Sequence, residues 1–224
     1  MTPPRTGRVL VTCGPSYEPI DEVRRITNSS TGKLGITLAN RLAAAGWPVV
    51  CLKGVGATCS EPLHPAVEAI AFSTNADLLA RLAAIPDRES IRAVFHAAAL
   101  CDFRVKSAST PAGDATDAGK ISSRQGDLSL VLEPAPKVIA SLRGLFPRSR
   151  IVGWKYEIDG TRQEAIEKGM RQLVENQTDA CVVNGAAYGE GFGVIASGRE
   201  GPHLEGLEAL TEWLAGWLES MKMA

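Results

Sequence analysis

One stretch of this 224-residue chain, residues 9–40, constrains the fold more than any other. It begins with a short apolar run at 9–12, which predicts a buried strand. Gly14 and Pro15 end that run, and a long polar loop follows where an ordinary nucleotide-binding fold has a short glycine turn. Residues 29–32 then lead into an apolar-periodic segment, which predicts a capped helix. Because a helix N-terminus favours anions, we expect this loop to serve an anionic ligand.

The rest of the chain alternates strand-like and helix-like patterns. Apolar runs predict further strands at 49–52, 67–72, 91–96, 150–156, 180–183 and 192–196. Helical periodicity follows residues 73–75, begins again at Pro136, and extends over 161–174 and 207–221. This order predicts an α/β fold, a Rossmann-like three-layer sandwich with a mostly parallel sheet, in a single domain over 1–224.

Residues 101–132 interrupt the alternation. The segment 101–125 has no periodicity, and 128–132 alternates polar and apolar residues as an exposed strand does. A loop of this length inside a compact domain is usually functional or disordered. We therefore expect an extended flap, about 101–132, that lies over a binding site.

The composition excludes several kinds of partner. A net charge of −1 gives no sign of a nucleic-acid or membrane partner, so local Arg and Lys would have to hold a small anion. The start of the chain lacks a signal-peptide pattern, and no run approaches the roughly 18 apolar residues of a membrane span. The five cysteines include no C-x-x-C pair. We expect a cytoplasmic, reducing setting.

Residues suited to ligand binding collect at the predicted carboxyl ends of four strands. In a doubly wound sheet, ligands bind outside those ends. In chain order they are Gly14, Arg24, Asn28, Gly32, Lys33, Gly35, Ala98, Ala99, Asp102, Trp154, Lys155, Glu157 and Asn184, and the flap adds Lys120. Agreement among four strand ends is stronger evidence for a site than any single motif.

Each candidate also has an ordinary structural interpretation. The G-x-x-G spacing at 32–35 is a weak signal for phosphate binding. Lys120 could be a solvated loop lysine, Trp154 a core side chain, and Asn184 a turn residue that ends a strand. We expect His96 to pack or bond locally rather than to catalyse.

Several familiar sites are missing. The chain has no G-x-S-x-G elbow, no Cys/His set with zinc spacing and no P-loop. It also lacks a complete G-x-G-x-x-G after the first strand with an acid at the end of the second. An NAD(P)-dependent oxidoreductase is therefore poorly supported, although the fold class allows it.

Residues 11–35 read VTCGPSYEPIDEVRRITNSSTGKLG and resemble the opening motif of phosphopantothenoylcysteine synthetase, also called phosphopantothenate–cysteine ligase. This family forms the second domain of the bifunctional coenzyme A biosynthesis flavoprotein. Further matches follow in order at 97–103, 120–121, 135–138, 152–157 and 179–184, so the resemblance covers nearly the whole chain.

The resemblance implies a Rossmann-like enzyme that joins the carboxylate of 4′-phosphopantothenate to the amine of L-cysteine. A nucleoside triphosphate with Mg²⁺ activates the carboxylate as an acyl-nucleotidylate, and pyrophosphate leaves. Cysteine then displaces the nucleoside monophosphate. The resemblance also implies a homodimer in which flap elements cross between subunits.

The same resemblance assigns roles position by position. Asn28 and Lys120 match key catalytic residues, and Arg24 and Ala99 match positions of the cysteine-dependent step. Matches to phosphopantothenate contacts are Gly14, Ser30, Gly32, Gly35, Trp154 and Asn184, with Ala98, Ala99 and Asp102 from the other subunit. Expected nucleotide contacts are Asp102, Lys120, Pro136, Lys137, Val138, Trp154 and Lys155. Metal ligands are unknown because no carboxylate cluster stands out, and Mg²⁺ would be carried largely by the triphosphate and water.

Departures from the family pattern leave the nucleotide open between ATP and CTP. The flap reads K-I-S-S at 120–123 where the CTP-using bacterial form has K-I-K-K, and Gln172 and Asn176 replace two of its lysines. The remaining pattern is closer to the ATP-using eukaryotic form. The flavin decarboxylase domain is missing, so we expect no FMN and a separate phosphopantothenoylcysteine decarboxylase. A non-ligase Rossmann-type nucleotide-binding relative remains the alternative, beside the NAD(P)-dependent oxidoreductase.

Overall fold

The structure, a computed structural model, describes residues 6–116 and 118–220. In chain order its elements are β1 (Arg8–Cys13), β2 (Tyr17–Pro19), β3 (Arg25–Thr27), α1 (Lys33–Ala44), β4 (Val49–Gly54), β5 (Val67–Phe72), α2 (Asn75–Ala83), β6 (Ile91–His96), β7 (Phe103–Thr110), β8 (Gly113–Asp114), β9 (Ser129–Pro134), α3 (Val138–Leu145), β10 (Arg150–Tyr156), α4 (Arg162–Glu175), β11 (Ala180–Gly185), β12 (Gly189–Ala196), β13 (Arg199–Leu204) and α5 (Leu207–Ser220).

The central sheet has the spatial strand order β5-β4-β1-β6-β10-β11-β12-β13. The strands from β5 to β11 in this order are parallel, and β12 and β13 add an antiparallel hairpin at one edge. Successive strands lead outward from β1 in one direction and from β6 in the other, so the topological switch point lies between these two strands. The predicted mostly parallel, doubly wound sheet is confirmed.

Helices cover both faces of this sheet and complete three layers. On one face, α1 and α5 pack around buried side chains of β1 such as Val9 and Val11. On the other face, α2 and α3 bury Leu78 and Leu142. α4 lies beside α3, since a Cβ placed on Gly153 would meet side chains of both helices. β1 is buried from both sides, which explains its unbroken apolar run.

The helices begin in two different ways. Thr74 caps α2 with its side chain, and Thr161 and Glu164 form a capping box at the start of α4. The N-cap of α1 is Gly32, which has no side chain, and that of α3 is Lys137, whose ammonium cannot accept a hydrogen bond. The N-cap of α1 thus falls within the predicted segment 29–32, and the hydroxyl of Thr31 accepts from the backbone N–H of Lys33 at 3.2 Å. Because the N-cap residues of α1 and α3 provide no side-chain acceptor of their own, other first-turn N–H groups stay available to an anion.

Other parts of the chain also differ from the sequence-based expectation. The polar loop contains a hairpin, β2–β3, in which Tyr17 pairs with Thr27. The flap is a three-stranded sheet in the order β8-β7-β9, which we call the flap sheet. α3 begins at Val138, two residues after Pro136, and β13 has no predicted counterpart. The helix predicted over 207–221 is α5, and residue 221 lies outside the described residues.

A small core of its own holds the flap sheet in place. Ala108, Ala115 and Ile121 are buried together, and Ile20, which directly follows β2, packs against them. Three of the side chains in this core are alanines, Ala108, Ala115 and Ala118, so this part of the flap shows little hydrophobic patterning in the sequence. Among the described residues, no helix is long and apolar enough to cross a membrane.

Candidate active site at the switch point

The segments that follow β1 and β6 run side by side beyond the ends of these strands. The backbone N–H of Ala99 donates to the carbonyl oxygen of Gly14 at 3.0 Å, and that of Ser16 donates to Ala99 at 3.1 Å. The hydroxyl of Ser16 accepts from the N–H of Cys101 at 2.9 Å. Gly14 and Ala99, predicted separately, are thus neighbours at the switch point within one chain.

His96 supports this junction from below. It is buried, and its Nδ1 lies 2.8 Å from the hydroxyl of Thr12, which also accepts from the N–H of Ala98 at 3.3 Å. Burial lowers the pKa of His96 to about 4, so the ring is neutral near pH 7. The interpretation of His96 as a locally bonded, packed residue agrees with this environment.

Asn28 connects the hairpin to the segment after β6. Its Nδ2 donates to the carbonyl oxygen of Leu100 at 2.8 Å, while the residue itself is exposed. One amide N–H and the amide oxygen are not used in this bond. The bond to Leu100 thus fixes the orientation of the Asn28 amide beside the Gly14–Ala99 junction, and one N–H and the amide oxygen remain for a ligand.

Arg24 joins the hairpin to the flap. Its Nη2 donates to Asp21 Oδ2 and to the carbonyl oxygen of Ile121, both at 2.5 Å. Asp21 also accepts from the backbone N–H of Ile121 at 3.2 Å, and Glu22 donates its N–H to the carbonyl oxygen of Gly119. Hydrogen bonds from Arg24, with help from backbone N–H groups, hold the pKa of Asp21 well below its usual range. These contacts place the flap segment 119–121 against the hairpin.

The side chain of Lys120 lies within this docked segment and is exposed. Both neighbours of Lys120 are fixed, Gly119 by the backbone of Glu22 and Ile121 by Asp21 and Arg24. The backbone of Lys120 is therefore held next to Ile121, the residue that Arg24 contacts, while the Lys120 side chain is exposed.

Glycines let the start of α1 approach the end of β1 closely. Gly14 and Gly32 have φ values of 78° and 79°, in the left-handed region that favours glycine. A Cβ on Gly35 would lie 2.3 Å from Cβ of Cys13, a separation that real atoms do not reach. The helix therefore meets the strand backbone directly. A cavity of about 470 Å³ opens beside this helix N-terminus and is lined in part by Thr31 and Lys33.

The ends of β10 and β11 form a third part of the site. The backbone N–H of Glu157 donates to the carbonyl oxygen of Asn184 at 2.9 Å. Trp154 packs against the α1–α5 core, and its buried indole Nε1 has no hydrogen-bond partner in the described part of the chain. Glu157 binds two cations, Lys155 at 3.0 Å and Lys168. Trp154 is thus both the core residue of the plain interpretation and a residue at the site's edge.

Asn75 is a functional-site residue that the sequence does not single out, since residues 73–75 are predicted only to cap the helix that follows them. Its buried side chain donates to the carbonyl oxygens of Cys101 at 2.8 Å and Pro136 at 3.1 Å, so it ties the segment after β6 to the start of α3. Glu18 accepts from its backbone N–H at 3.3 Å, and both residues are buried. In the sequence, the only indication of this role is an asparagine in the first turn of a helix at the carboxyl edge of the sheet. Its hydrogen-bond partners are distant in sequence and depend on the tertiary fold.

The remaining nucleotide-side candidates surround the start of α3. The carbonyl oxygen of Asp102 accepts from Ala135, and the Asp102 side chain is exposed. Lys137 is exposed at the uncapped start of α3, and Val138 is buried in the helix. Across the described residues, no group of three or more His, Cys, Asp or Glu could hold a metal ion.

A larger cavity, about 750 Å³, lies at the opposite edge, where Ile91 and Arg150 begin their strands. Its arginines are engaged: Arg143 and Arg150 both bind Asp179 at 2.7 Å. Arg143 also donates to the carbonyl oxygen of Ser149 at 2.9 Å. Since these arginines stabilise the fold through Asp179 and Ser149, their presence in the cavity does not indicate a ligand site. The switch point remains the candidate site.

The doubly wound sheet with polar strand ends at its switch point defines an α/β protein of the Rossmann type, built to bind ligands outside the carboxyl edge. A family model described as the DNA/pantothenate metabolism flavoprotein C-terminal domain matches residues 5–197. The chain belongs to this family, which confirms the resemblance found in the sequence.

Individual relatives agree with this assignment. The chain is 33% identical over 177 residues to the coenzyme A biosynthesis bifunctional protein CoaBC of Thermococcus kodakarensis, covering 79% of this chain and 41% of that protein. It therefore spans about two fifths of the length of that curated relative.

Solved structures share the fold. The DNA/pantothenate metabolism flavoprotein from Streptococcus pneumoniae superposes with a TM-score of 0.83 at 23% identity, over 96% of this chain and 99% of that one. A Cab2 variant in complex with phosphopantothenate-cysteine superposes with a TM-score of 0.68 at 16% identity, over 96% and 88% of the two chains.

Proposed function

We propose that this chain is a phosphopantothenate–cysteine ligase, which joins 4′-phosphopantothenate and L-cysteine in coenzyme A biosynthesis. The observation that carries the proposal is the junction of Gly14 with Ala99, bordered by Asn28, in a member of this family. The name of the CoaBC relative supports a role in coenzyme A biosynthesis, and the ligand of the Cab2 complex, phosphopantothenate-cysteine, supports the same substrates.

The phosphate of phosphopantothenate belongs at the start of α1. The glycine backbone there allows close approach, and the helix N-terminus favours an anion. The proposed contacts to this substrate are Gly14, Ser30, Gly32, Gly35, Ala98, Ala99, Asp102, Trp154 and Asn184. Ala98, Ala99 and Asp102, which directly follow β6, contact the substrate from the same chain or from the partner subunit of a homodimer.

Lys120 acts on the first step, and Asn28 acts on the acyl-nucleotidylate that this step forms. A carboxylate oxygen of phosphopantothenate attacks the α-phosphorus of the triphosphate, a P–O bond forms, and pyrophosphate leaves. Asn28 has an amide N–H left to stabilise the charge that develops on the acyl phosphate. Lys120 neutralises phosphate oxygens, and closure of the flap keeps water from the acyl-nucleotidylate.

Arg24 and Ala99 serve the second step. The amine of cysteine attacks the acyl carbon, the nucleoside monophosphate leaves with the bonding electrons, and the amine loses a proton. The backbone beside Ala99 borders the acyl group. Arg24, through Asp21 and Ile121, keeps the flap in register with the hairpin during this exchange.

The nucleotide is ATP or CTP, held by Asp102, Lys120, Pro136, Lys137, Val138, Trp154 and Lys155. When bound, Mg²⁺ would neutralise triphosphate charge. The described residues offer no carboxylate cluster for a resident metal, which fits a metal that arrives with the nucleotide. We propose a cytoplasmic protein without FMN, working with a separate phosphopantothenoylcysteine decarboxylase.

A homodimer is part of the proposal. Phe103, Val131 and Leu132 of the flap sheet have exposed fractions of 53%, 54% and 42%. Phe103 pairs with Pro134, two residues from Leu132, so Phe103 and Leu132 share one face of the flap sheet, while Val131 lies on the other. Large apolar side chains exposed together on one face are typical of an interaction surface. A second copy of the chain is the occupant that the family resemblance favours.

Turnover with purified substrates tests the activity. The protein is incubated with phosphopantothenate, cysteine, Mg²⁺ and either ATP or CTP, and pyrophosphate and phosphopantothenoylcysteine are measured. Product formation that requires all four components is expected. The ligase proposal fails if neither triphosphate gives phosphopantothenate-dependent pyrophosphate; triphosphate binding without turnover would favour the non-ligase relative, and hydride transfer from NAD(P)H the oxidoreductase.

The Asn28→Ala variant tests the role of the amide. It should remain folded, because Asn28 is exposed, and should lose most product formation. Full activity of this variant would remove Asn28 from the mechanism while leaving the ligase assignment intact.

A further inference from the structure

Lys168 of α4 contacts Glu157, which directly follows β10. Lys168 donates to Glu157 Oε2, and Lys155 lies 3.0 Å from Glu157 Oε1, so each carboxylate oxygen holds one ammonium. The Glu157 side chain is 13% exposed, whereas those of Lys155 and Lys168 are 34% and 35% exposed. We call Lys155, Glu157 and Lys168 the lysine pair group.

The charges in this group do not cancel. Two ammonium groups face the Glu157 carboxylate, which leaves a net charge of +1 within these three residues if all are ionised. Glu164, one turn before Lys168 on α4, also interacts with Lys168, but its carboxylate is bound to Thr161. Desolvation raises the pKa of Glu157, but hydrogen bonds from Lys168 and Lys155 outweigh it and hold that pKa below its ordinary value. Each ammonium has three N–H donors and spends one on Glu157, so donors remain for a further anion.

The group lies at the carboxyl edge of the sheet, beside α3 and α4. Side chains alternate along β10, so Lys155 shares the sheet face of Gly153, where a Cβ would meet Ile139 of α3 and Gln172 of α4. The uncapped N-terminus of α3 is on this face. Glu157 itself bonds the backbone of Asn184. An anion here would meet two ammonium groups at the site's border.

The next side chains on this side of α4 have other duties. Gln172, one turn after Lys168, donates to the carbonyl oxygen of Trp154 at 3.2 Å, and Asn176 donates to the carbonyl oxygen of Gln172 at 2.8 Å. Neither carries charge. Lys168 is thus the cation through which α4 can contact a phosphate chain at this edge.

We propose that Lys168, together with Lys155, binds the phosphate chain of the nucleotide and that Glu157 holds the two ammonium groups side by side for this purpose. The inference rests on the proposed function for the identity of the nucleotide as a substrate. It adds Lys168, which neither the sequence pattern nor the strand-end rule singles out, to the binding residues.

Calorimetry on this chain tests the inference without turnover. Mg²⁺–ATP and Mg²⁺–CTP are titrated into wild type, Lys168→Gln, Lys168→Arg and Arg171→Gln, with phosphopantothenate omitted. Lys168→Gln should weaken binding of the preferred triphosphate about tenfold or more, as expected for loss of one charge-assisted contact. Lys168→Arg should keep most of the affinity, and Arg171→Gln, an exposed change on the same helix, should match wild type.

Inorganic tripolyphosphate is the second probe. Its affinity should fall by the same factor in Lys168→Gln, while phosphopantothenate binding stays unchanged. Equal triphosphate affinity in wild type and Lys168→Gln would overturn the inference and leave the ligase proposal standing. A loss seen with the nucleotide but not with tripolyphosphate would also overturn it. If wild type binds no triphosphate at all, the inference and the proposed function fail together.

Discussion

The guanidinium of Arg24 donates to the carbonyl oxygen of Ile121 at 2.5 Å, across 97 positions of the chain. Asp21 reinforces this link, because it binds both Arg24 and the backbone N–H of Ile121. The hairpin β2–β3 and the flap segment that carries Lys120 are therefore joined by the ion pair of Arg24 with the buried Asp21 carboxylate, beside the backbone bond between Glu22 and Gly119.

The first prediction concerns this link. Asp21→Asn should release the flap, because the amide cannot accept all the hydrogen bonds of the carboxylate and leaves Arg24 without its ion-pair partner. Trypsin should then cleave after Lys120 several-fold faster than in wild type, with little change in the far-ultraviolet circular dichroism. Glu22→Gln is the control, since Glu22 holds Gly119 through its backbone N–H. Equal cleavage rates in all three proteins would contradict the fastening.

The second prediction concerns pH. The pKa of His96 is about 4 in the folded chain and 6.5 without burial, so the unfolded state binds more protons between these values. Stability should therefore fall as pH drops below 6.5, and the loss should approach roughly 3 kcal/mol once pH nears the folded-state pKa. Urea unfolding at pH 7.5, 6 and 5 measures the slope.

The His96→Gln variant supplies the comparison for that experiment. It should lose stability at pH 7.5 through poorer packing but show a flatter dependence on pH between 7.5 and 5. The same slope in wild type and variant would mean that another group is responsible.

The third prediction concerns the contact between α1 and β1. Gly35→Ala should destabilise the fold by about 1–3 kcal/mol, since its Cβ would overlap Cβ of Cys13 and force the helix away. Gly216→Ala is the matched control, because it lies within α5 with nothing near its Cβ position, and alanine there should be neutral or stabilising by up to about 1 kcal/mol. Denaturant midpoints compare the two. A Gly35→Ala variant as stable as wild type would disprove the close approach.

The fourth prediction concerns self-association. Wild type should sediment as a dimer, and Leu132→Asp should shift it to monomer, because a charge would enter the apolar flap surface. Val174→Asp is the control: Val174 is exposed on α4, away from the flap sheet, and its substitution should leave the dimer intact. A monomeric wild type would remove the homodimer from the proposal.

Much of the central sheet could be predicted from sequence because its strands are short apolar runs bounded by polar residues. β5, β6 and β10 begin and end where the pattern places them. The hairpin β2–β3 was missed because each strand has three residues, too few for a periodicity, and because its pairing depends on neighbours such as Ser73, which accepts from Tyr17. β7 was missed because a register shift after Val105 interrupts its alternation.

The site could be predicted in part for a related reason. The strand-end rule places Gly14 and Ala99 at one edge, and the structure makes them neighbours. Asn75 and Lys168 could not be found in this way, because their importance comes from hydrogen bonds to residues that are distant in sequence or carried by another element. The assignments of Asn28, Lys120 and the other site residues to individual steps stay predictions.

The glycine contact between α1 and β1 also determines how the molecule can adapt to its ligands. Because Gly35 packs directly against Cys13, α1 cannot tilt or slide toward β1. The proposed phosphate site at the start of α1 therefore keeps one geometry with and without ligand. Adjustment to a nucleotide, to cysteine or to departing pyrophosphate has to come from the opposite side, where short polar links hold the flap. The rigid half can therefore accept phosphopantothenate whether or not a nucleotide is bound, and the adjustable half can close over the nucleotide independently.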